Sequence, residues 1–167
     1  MRHIISILLQ NEAGALARVA AMFSSRGYNI DSLSVATTHD PSVSRLTLVT
    51  SGSDAVIEQI IKQTRKVIDV VEIVDLSSTD HLECELLMLK VEVVDADSAR
   101  SIVECVRQRH GAILDESEST RMIQLAGTGP EVDAFIAEVS KIAKILELVR
   151  SGVAAMQRGH AVLAVPA

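Results

Sequence analysis

The order in which the hydrophobic pattern changes along the chain most constrains its fold. An apolar run comes first and is followed by a helical pattern with apolar residues at i, i+3, i+4 and i+7. Next come two strand-like runs joined by a short turn, then a second helical pattern and a final apolar run. These segments are residues 3–9, 15–26, 29–37, 43–50, 54–66 and 67–76. Strand, helix, strand, strand, helix, strand is the order of a ferredoxin-like βαββαβ unit, in which an antiparallel sheet carries both helices on one face.

The same order recurs in the second half of the chain. A long alternating strand precedes a helical pattern that ends before Gly111, two short strands, a fourth helix and a last strand interrupted at Ser151 and Gly152. The strands are predicted at residues 82–94, 112–118, 121–126 and 146–156. A T-x-x-E sequence from Thr128 to Glu131 predicts a capping box at the start of the fourth helix.

The polar stretch between the two patterns predicts where the domains divide. We expect an α+β protein with two ferredoxin-like βαββαβ units. The first domain is predicted at residues 1–76, a linker at 77–81, the second domain at 82–160 and a short apolar tail at 161–167. The repeat is one of element order and not of residues, because the second unit has no counterpart of residues 11–16.

Composition excludes several classes of function. Hydrophobic residues make up 48% of the 167 residues and aromatic residues only 2%, so the cores must be aliphatic. Sixteen scattered basic residues against 22 acidic ones give a net charge of −6, which argues against a nucleic-acid partner. No apolar run has the length of a transmembrane helix, and the N-terminus lacks a cleavage signal, so we expect a soluble, cytoplasmic protein with no membrane partner.

No pattern indicates catalysis or metal binding by this chain. The two cysteines, Cys84 and Cys105, do not form a CxxC pair and are expected in the core. The five histidines show no ligand spacing such as HxxxH. No Ser/His/Asp or Cys/His arrangement can be argued, so we expect no catalytic residue, no metal ligand and no cofactor in this chain.

The turn between the first strand and the first helix is a candidate anion site. The apolar run ends near Leu9, and the helical pattern begins near Leu16, with Asn11 and Gly14 between them. The first N–H groups of a helix have no intrahelical partner and carry partial positive charge, which suits a small carboxylate. In the alternative interpretation, Asn11 caps the helix, Gly14 eases the turn and nothing binds there.

At this turn the sequence resembles a known family. The segments NEAGALARV at residues 11–19 and FSSRGYNIDSL at residues 23–33 resemble the ACT domain of the small, regulatory subunit of acetolactate synthase, also called acetohydroxyacid synthase. The most specific part is RGYNI at residues 26–30, and QLAGT at 124–128 and AKILELVRSG at 143–152 also fit. The likeness covers nearly the whole chain and is weaker over residues 95–118 and beyond 158.

The resemblance implies a regulatory function and not an activity of this chain. Subunits of this family bind a separate catalytic subunit that holds thiamine diphosphate, Mg²⁺ and FAD. They raise the activity of that subunit and make it subject to feedback inhibition by a branched-chain amino acid, usually valine. Their ACT domains pair side by side as a homodimer with one continuous eight-stranded sheet, and the effector lies between two copies.

Together, the turn and the resemblance define an expected effector site. The backbone N–H groups of the helix start would hold the effector carboxylate, and the side-chain oxygen of Asn11 would accept a hydrogen bond from the ammonium group. Gly14 allows close approach because it has no side chain. The residues expected in the site are Asn11, Gly14, Ala15 and Leu16 of one copy, with Asn29 and Ile30 of the facing copy. Without the resemblance, Asn29 would be interpreted as a turn residue.

Two alternative functions would place the chain in a different class of protein. A Rossmann-type nucleotide module needs G-x-G-x-x-G, and only Gly14 of that motif is present. A stand-alone ACT protein would sense an amino acid for a different enzyme or for a transcription system. The likeness that runs through the second unit favours the synthase subunit over this sensor.

Overall fold

The computed structural model describes residues 1–165, and their contacts form two compact units. One unit contains Met1–Leu82 together with residues 153–165, and the other contains Glu83–Gly152. The second domain predicted from the sequence, residues 82–160, therefore differs from the contact-based unit at its C-terminal end. Of the predicted tail at residues 161–167, the last two positions lie outside the described residues.

The first unit has the predicted βαββαβ order. Its elements are β1 (Arg2–Gln10), α1 (Ala15–Ser25), β2 (Ser32–Thr37), β3 (Val43–Ser51), α2 (Asp54–Thr64) and β4 (Val70–Asp75). The strands form one antiparallel sheet in the order β2-β3-β1-β4, which leaves β2 and β4 at the edges. The prediction of a ferredoxin-like first unit is confirmed, although β2 and β4 are shorter than predicted.

Strand β1 shows no alternation of buried and exposed residues because both faces of the sheet are covered. Ile5, Ile7 and Leu9 pack in the core that α1 and α2 form on one face. On the other face, Ile4 packs with Val153 of the returning C-terminal segment. A central strand buried on both sides reads as a continuous apolar run, and this is the pattern seen in the sequence.

The second unit repeats this topology. It consists of β5 (His81–Glu92), α3 (Ala96–Gln108), β6 (Ala112–Glu116), β7 (Thr120–Gly127), α4 (Gly129–Ile142) and β8 (Ile145–Arg150), of which β5 begins in the first unit. The sheet order β6-β7-β5-β8 matches that of the first unit position by position. Leu87, Leu89 and Val91 lie in its core, as their alternation predicts. The α+β class with two ferredoxin-like units is confirmed.

Local signals account for several element ends. Thr128 and Glu131 form the predicted capping box at the start of α4, and Asp95 and Ser98 form a second one at α3. The strand predicted over residues 146–156 is interrupted at Ser151 and Gly152, as predicted, and forms two strands, β8 and a short β9 (Ala154–Gln157). Gly152 separates them with φ of 77°, a backbone conformation that redirects the chain and favours glycine.

Candidate functional site

The turn between β1 and α1 is built around Gly14. This glycine is the N-cap of α1, with φ of 89°, and no side chain caps the helix. The interpretation of Asn11 as a helix cap is therefore wrong. Gly14 occupies the left-handed region, where other residues are strained, so this position favours glycine. As a result, the turn from β1 into α1 has no side chain at the helix start.

Asn11 instead joins this turn to the end of the β2–β3 hairpin. Its backbone N–H donates to the carbonyl of Ser42 at 2.7 Å. Its side-chain Nδ2 donates to the carbonyl of Pro41 at 2.9 Å, and its Oδ1 accepts from Ser44 Oγ at 3.0 Å. These bonds fix the orientation of the amide, and a carbonyl oxygen with one donor keeps capacity for a second.

The amide groups at the start of α1 are partly engaged within the turn. The N–H of Ala15 donates to the carbonyl of Glu12 at 3.2 Å, and the carbonyl of Gly14 accepts from the N–H of Arg18 at 2.9 Å. A carboxylate bound by the Ala15 amide would replace this long turn bond. The helix dipole itself favours an anion at this position.

Arg18 adds a positive charge that the sequence analysis missed. A Cβ placed on Gly14 would lie 2.8 Å from Nη1 of Arg18, so the guanidinium lies directly against the glycine. Residues four apart on a helix lie on the same face, and the spacing from Gly14 to Arg18 was the signal in the sequence. The Nη1 group of the guanidinium therefore places N–H donors beside the helix start.

A buried carboxylate fixes the position of this guanidinium. Asp69, which precedes β4, accepts from Nε and Nη2 of Arg18 at 2.5 and 2.6 Å. The hydrogen bonds from Arg18 lower the pKa of Asp69 below its usual value. The backbone carbonyl of Asp69 also accepts a hydrogen bond from the N–H of Gln10 at 2.8 Å. Asp69 therefore connects the end of β1 to Arg18 of α1.

A cleft of about 280 Å³ lies beside this turn. It is lined by the end of β1, the turn, the start of α1, the end of edge strand β2 and one residue of β3. The lining residues are Leu9, Gln10, Asn11, Glu12, Ala15, Leu16, Val35, Ala36, Thr37 and Ser44. Leu16 and Val35 are 38% and 43% exposed, which leaves an apolar surface at the mouth of the cleft. Three of the predicted site residues therefore line one cleft.

Asn29 and Ile30 lie elsewhere in the chain. The Asn29 side chain donates to Asp31 at 2.7 Å, and its carbonyl accepts from Thr50 Oγ1 at 2.6 Å. Asn11 is bound at Ser44, so the two asparagines lie at opposite ends of β3, six residues or about 20 Å apart. The structure does not bring Asn29 and Ile30 to the Asn11 cleft within one chain.

Within residues 1–165 no cluster of three or more His, Cys, Asp or Glu side chains could hold a metal ion. Cys105 is buried, as predicted, but Cys84 is exposed, so the expectation that both pack in a core is wrong for Cys84. None of the helices described in this range is long and apolar enough to cross a membrane.

Comparisons with known proteins agree with this architecture. The family model described as AHAS small subunit-like ACT domain matches residues 5–72, and the model described as small subunit of acetolactate synthase matches residues 84–159. The small subunit of acetolactate synthase isozyme 3 from Escherichia coli K12 is 44% identical over 165 residues, which are 98% of this chain and 99% of that protein. The acetolactate synthase small subunit of Haemophilus influenzae is 43% identical, over 96% of this chain and 98% of its own.

A solved structure extends the likeness to three dimensions. The crystal structure of the small subunit of acetolactate synthase from Thermotoga maritima matches with a TM-score of 0.86 and 32% identity, over 96% of this chain and 99% of that one. Both units of the fold, and not the ACT domain alone, are therefore shared. This chain belongs to the family of acetolactate synthase small subunits.

Proposed function

We propose that this chain raises the activity of a separate acetolactate synthase catalytic subunit and makes it sensitive to inhibition by a branched-chain amino acid. Valine is the effector that we propose first. One observation carries the proposal: the start of α1, with the Arg18 guanidinium against Gly14, and the Asn11 carbonyl oxygen belong to one turn, beside a cleft with apolar residues at its mouth. This is the set of groups that a small apolar amino acid needs. Family membership supports the same function.

Each part of the effector has a counterpart in the site. The carboxylate is held at the start of α1 by the amide groups of Gly14, Ala15 and Leu16, next to the guanidinium of Arg18. The ammonium group donates to Oδ1 of Asn11. The aliphatic side chain packs on the exposed apolar surface of Leu16 and Val35, which favours a branched-chain amino acid over a polar one.

A second copy of the chain completes the site. The outer edge of β2 has no partner strand among residues 1–165, and an unpaired edge is a surface for pairing with another chain. Antiparallel pairing of two β2 strands about a twofold axis places the start of one β2 beside the end of the other. Asn29 and Ile30, which precede β2, then reach the cleft of the facing copy, where Val35 and Ala36 lie.

A shared site explains how the effector regulates. Binding between two copies changes the stability of one arrangement of the dimer relative to another, and only such a difference can alter the activity of a bound partner. The chemistry itself stays in the catalytic subunit, for which we propose thiamine diphosphate, Mg²⁺ and FAD as cofactors. The complex would act in the cytoplasm.

Reconstitution with the catalytic subunit from the same organism tests this function. Acetolactate formation from pyruvate is measured with the catalytic subunit alone, after addition of the chain, and after further addition of valine, leucine or isoleucine. We expect a rise on addition of the chain and a fall with valine, and no turnover by the chain alone. Valine binding to the chain with no change in activity would instead identify an ACT sensor for a different enzyme or transcription system.

A further inference from the structure

A second and larger cavity lies on the other face of the first sheet. It has a volume of about 720 Å³. Its floor is the face of β1, β2 and β3 opposite the two helices, because Leu8 and Arg45 alternate with the helix-facing residues of their strands. Residues 154–156 and 162–165 of the returning C-terminal segment form the opposite wall.

Arg45 lies at the centre of this floor and has no acidic partner in the described part of the chain. It is paired with Leu8 on one side and with Ala36 on the other. Its Nε donates to Ser6 Oγ at 2.9 Å, and its Nη2 donates to the carbonyl of Ala155 at 2.8 Å. Among residues 1–165, no carboxylate forms an ion pair with this guanidinium, and burial lowers its pKa.

Comparable arginines in this chain are neutralised. Arg18 binds the buried Asp69, and Arg150 binds the buried Glu85. The acidic residue that lines the cavity, Asp40, accepts hydrogen bonds through Oδ1 from the N–H and the hydroxyl of Ser42, at 2.9 and 2.7 Å. A half-buried charge is costly unless it is compensated, so Arg45 is a position at which an external anion would be stabilised.

The remainder of the lining is mostly apolar. Hydroxyl groups occur beside the guanidinium, on Ser34 and Thr47, which pair with each other across β2 and β3. Thr37, Thr38 and His39 add further polar groups at the end of β2. Most of the other lining residues are aliphatic, among them Leu8, Val43, Met156, Val162, Leu163 and Val165. An arginine beside a largely apolar surface, in a cavity of this volume whose acidic residue Asp40 is already bound by Ser42, is the arrangement of a site for a small organic ligand.

We propose that this cavity binds an amphipathic organic anion, namely a carboxylate with an aliphatic body of several carbons, whose carboxylate pairs with Arg45. The aliphatic body lies against the C-terminal segment that covers the sheet. The site is separate from the effector cleft, which it meets at Ala36 and Thr37, and it does not depend on the function proposed above.

Calorimetric titration of the full chain with octanoate tests this site, with 1-octanol as the uncharged probe of the same length. We expect saturable binding of one octanoate per chain and binding of 1-octanol that is weaker by about tenfold or more. Arg45→Met should weaken octanoate binding by about tenfold or more, and Arg45→Lys, which keeps the charge, should weaken it less. Absence of saturable octanoate binding, or equal binding of the two probes, would overturn the proposal.

Arg45→Met could fail to fold because Arg45 also donates a hydrogen bond to the carbonyl of Ala155, so a second variant is needed. Ser34→Leu fills the cavity from edge strand β2 and leaves the bonds of the guanidinium in place. Thermal unfolding followed by circular dichroism shows which variants are folded. Loss of octanoate binding in folded Ser34→Leu supports the proposal, and parental affinity in that variant or in folded Arg45→Met contradicts it.

Discussion

Replacement of Gly14 by aspartate should have two separable effects, a lower stability of the fold and a weaker binding of the effector. The first is the backbone, because Gly14 has φ of 89°, where an L-residue is strained. The second is the site, because the new side chain would lie where we place the effector carboxylate, with its Cβ 2.8 Å from Nη1 of Arg18. Gly159→Asp is a matched control: its φ is 80°, and a Cβ there would meet nothing within 4 Å.

The two effects have different magnitudes. Backbone strain should lower the free energy of unfolding of both variants by about 1–2 kcal/mol. Two carboxylates about 4 Å apart repel by about 4 kcal/mol at an effective dielectric constant of about 20. Because Gly14 is exposed, solvent screening reduces this repulsion by about half, which leaves about 2 kcal/mol, or a roughly thirtyfold loss of affinity in Gly14→Asp alone.

Calorimetric titration with valine measures the affinity, and urea unfolding measures the shared strain. We expect Gly159→Asp to bind valine as the parent does and Gly14→Asp to bind roughly thirtyfold more weakly, while still activating the catalytic subunit. Parental valine affinity in Gly14→Asp would refute the placement of the carboxylate. Equal loss in both variants would show that strain, and not the charge at the site, is responsible.

Three further predictions concern stability and assembly. Arg18 lowers the pKa of Asp69 in the folded state, so this pair stabilises the fold above the usual aspartate pKa of about 4, and the stabilisation is lost at lower pH. The free energy of unfolding in urea, measured between about pH 6 and 2, should therefore decline less in Asp69→Asn than in the parent. Phe135 is fully buried in the second unit, so Phe135→Ala should lower the free energy of unfolding by about 3–5 kcal/mol, and urea unfolding that shows less than about 1 kcal/mol would contradict this packing. Val35→Lys places a charge on the unpaired edge strand and should shift the chain toward monomer in sedimentation equilibrium, whereas an unchanged dimer would exclude β2 from the interface.

The architecture was predictable because its signals are local. The change from alternating to helical periodicity marked the order of strands and helices in both units, and the Thr128–Glu131 spacing marked the start of α4. The last strand was harder to predict from the sequence. Its second half, β9, packs with the first unit through Ala155, and no local pattern reports a contact with Ile4, some 150 residues away in the chain.

The candidate site was predictable only in part for the same reason. The turn, Gly14 and the start of α1 follow from neighbouring residues. The Arg18–Asp69 pair joins positions 51 residues apart, and the bond between Asn11 and Ser44 spans 33 residues, so neither could be derived from spacing. Asn29 and Ile30 were assigned by family resemblance alone, and they lie away from Asn11 within one chain; in the proposed dimer the facing copy brings them to the cleft.

The most direct test of the shared effector site is complementation between two defective chains. Asn11→Ala and Asn29→Ala are each expected to abolish valine binding, since every site in either homodimer lacks one asparagine. When equal amounts are mixed and allowed to exchange subunits, half of the dimers contain one of each, and each of these has one intact site and one doubly defective site. Titration of the mixture should therefore recover about one quarter of the parental valine sites at parental affinity. Recovery of no sites, from a mixture shown by mass spectrometry to contain the mixed dimer, would place the whole site within one chain and contradict the account.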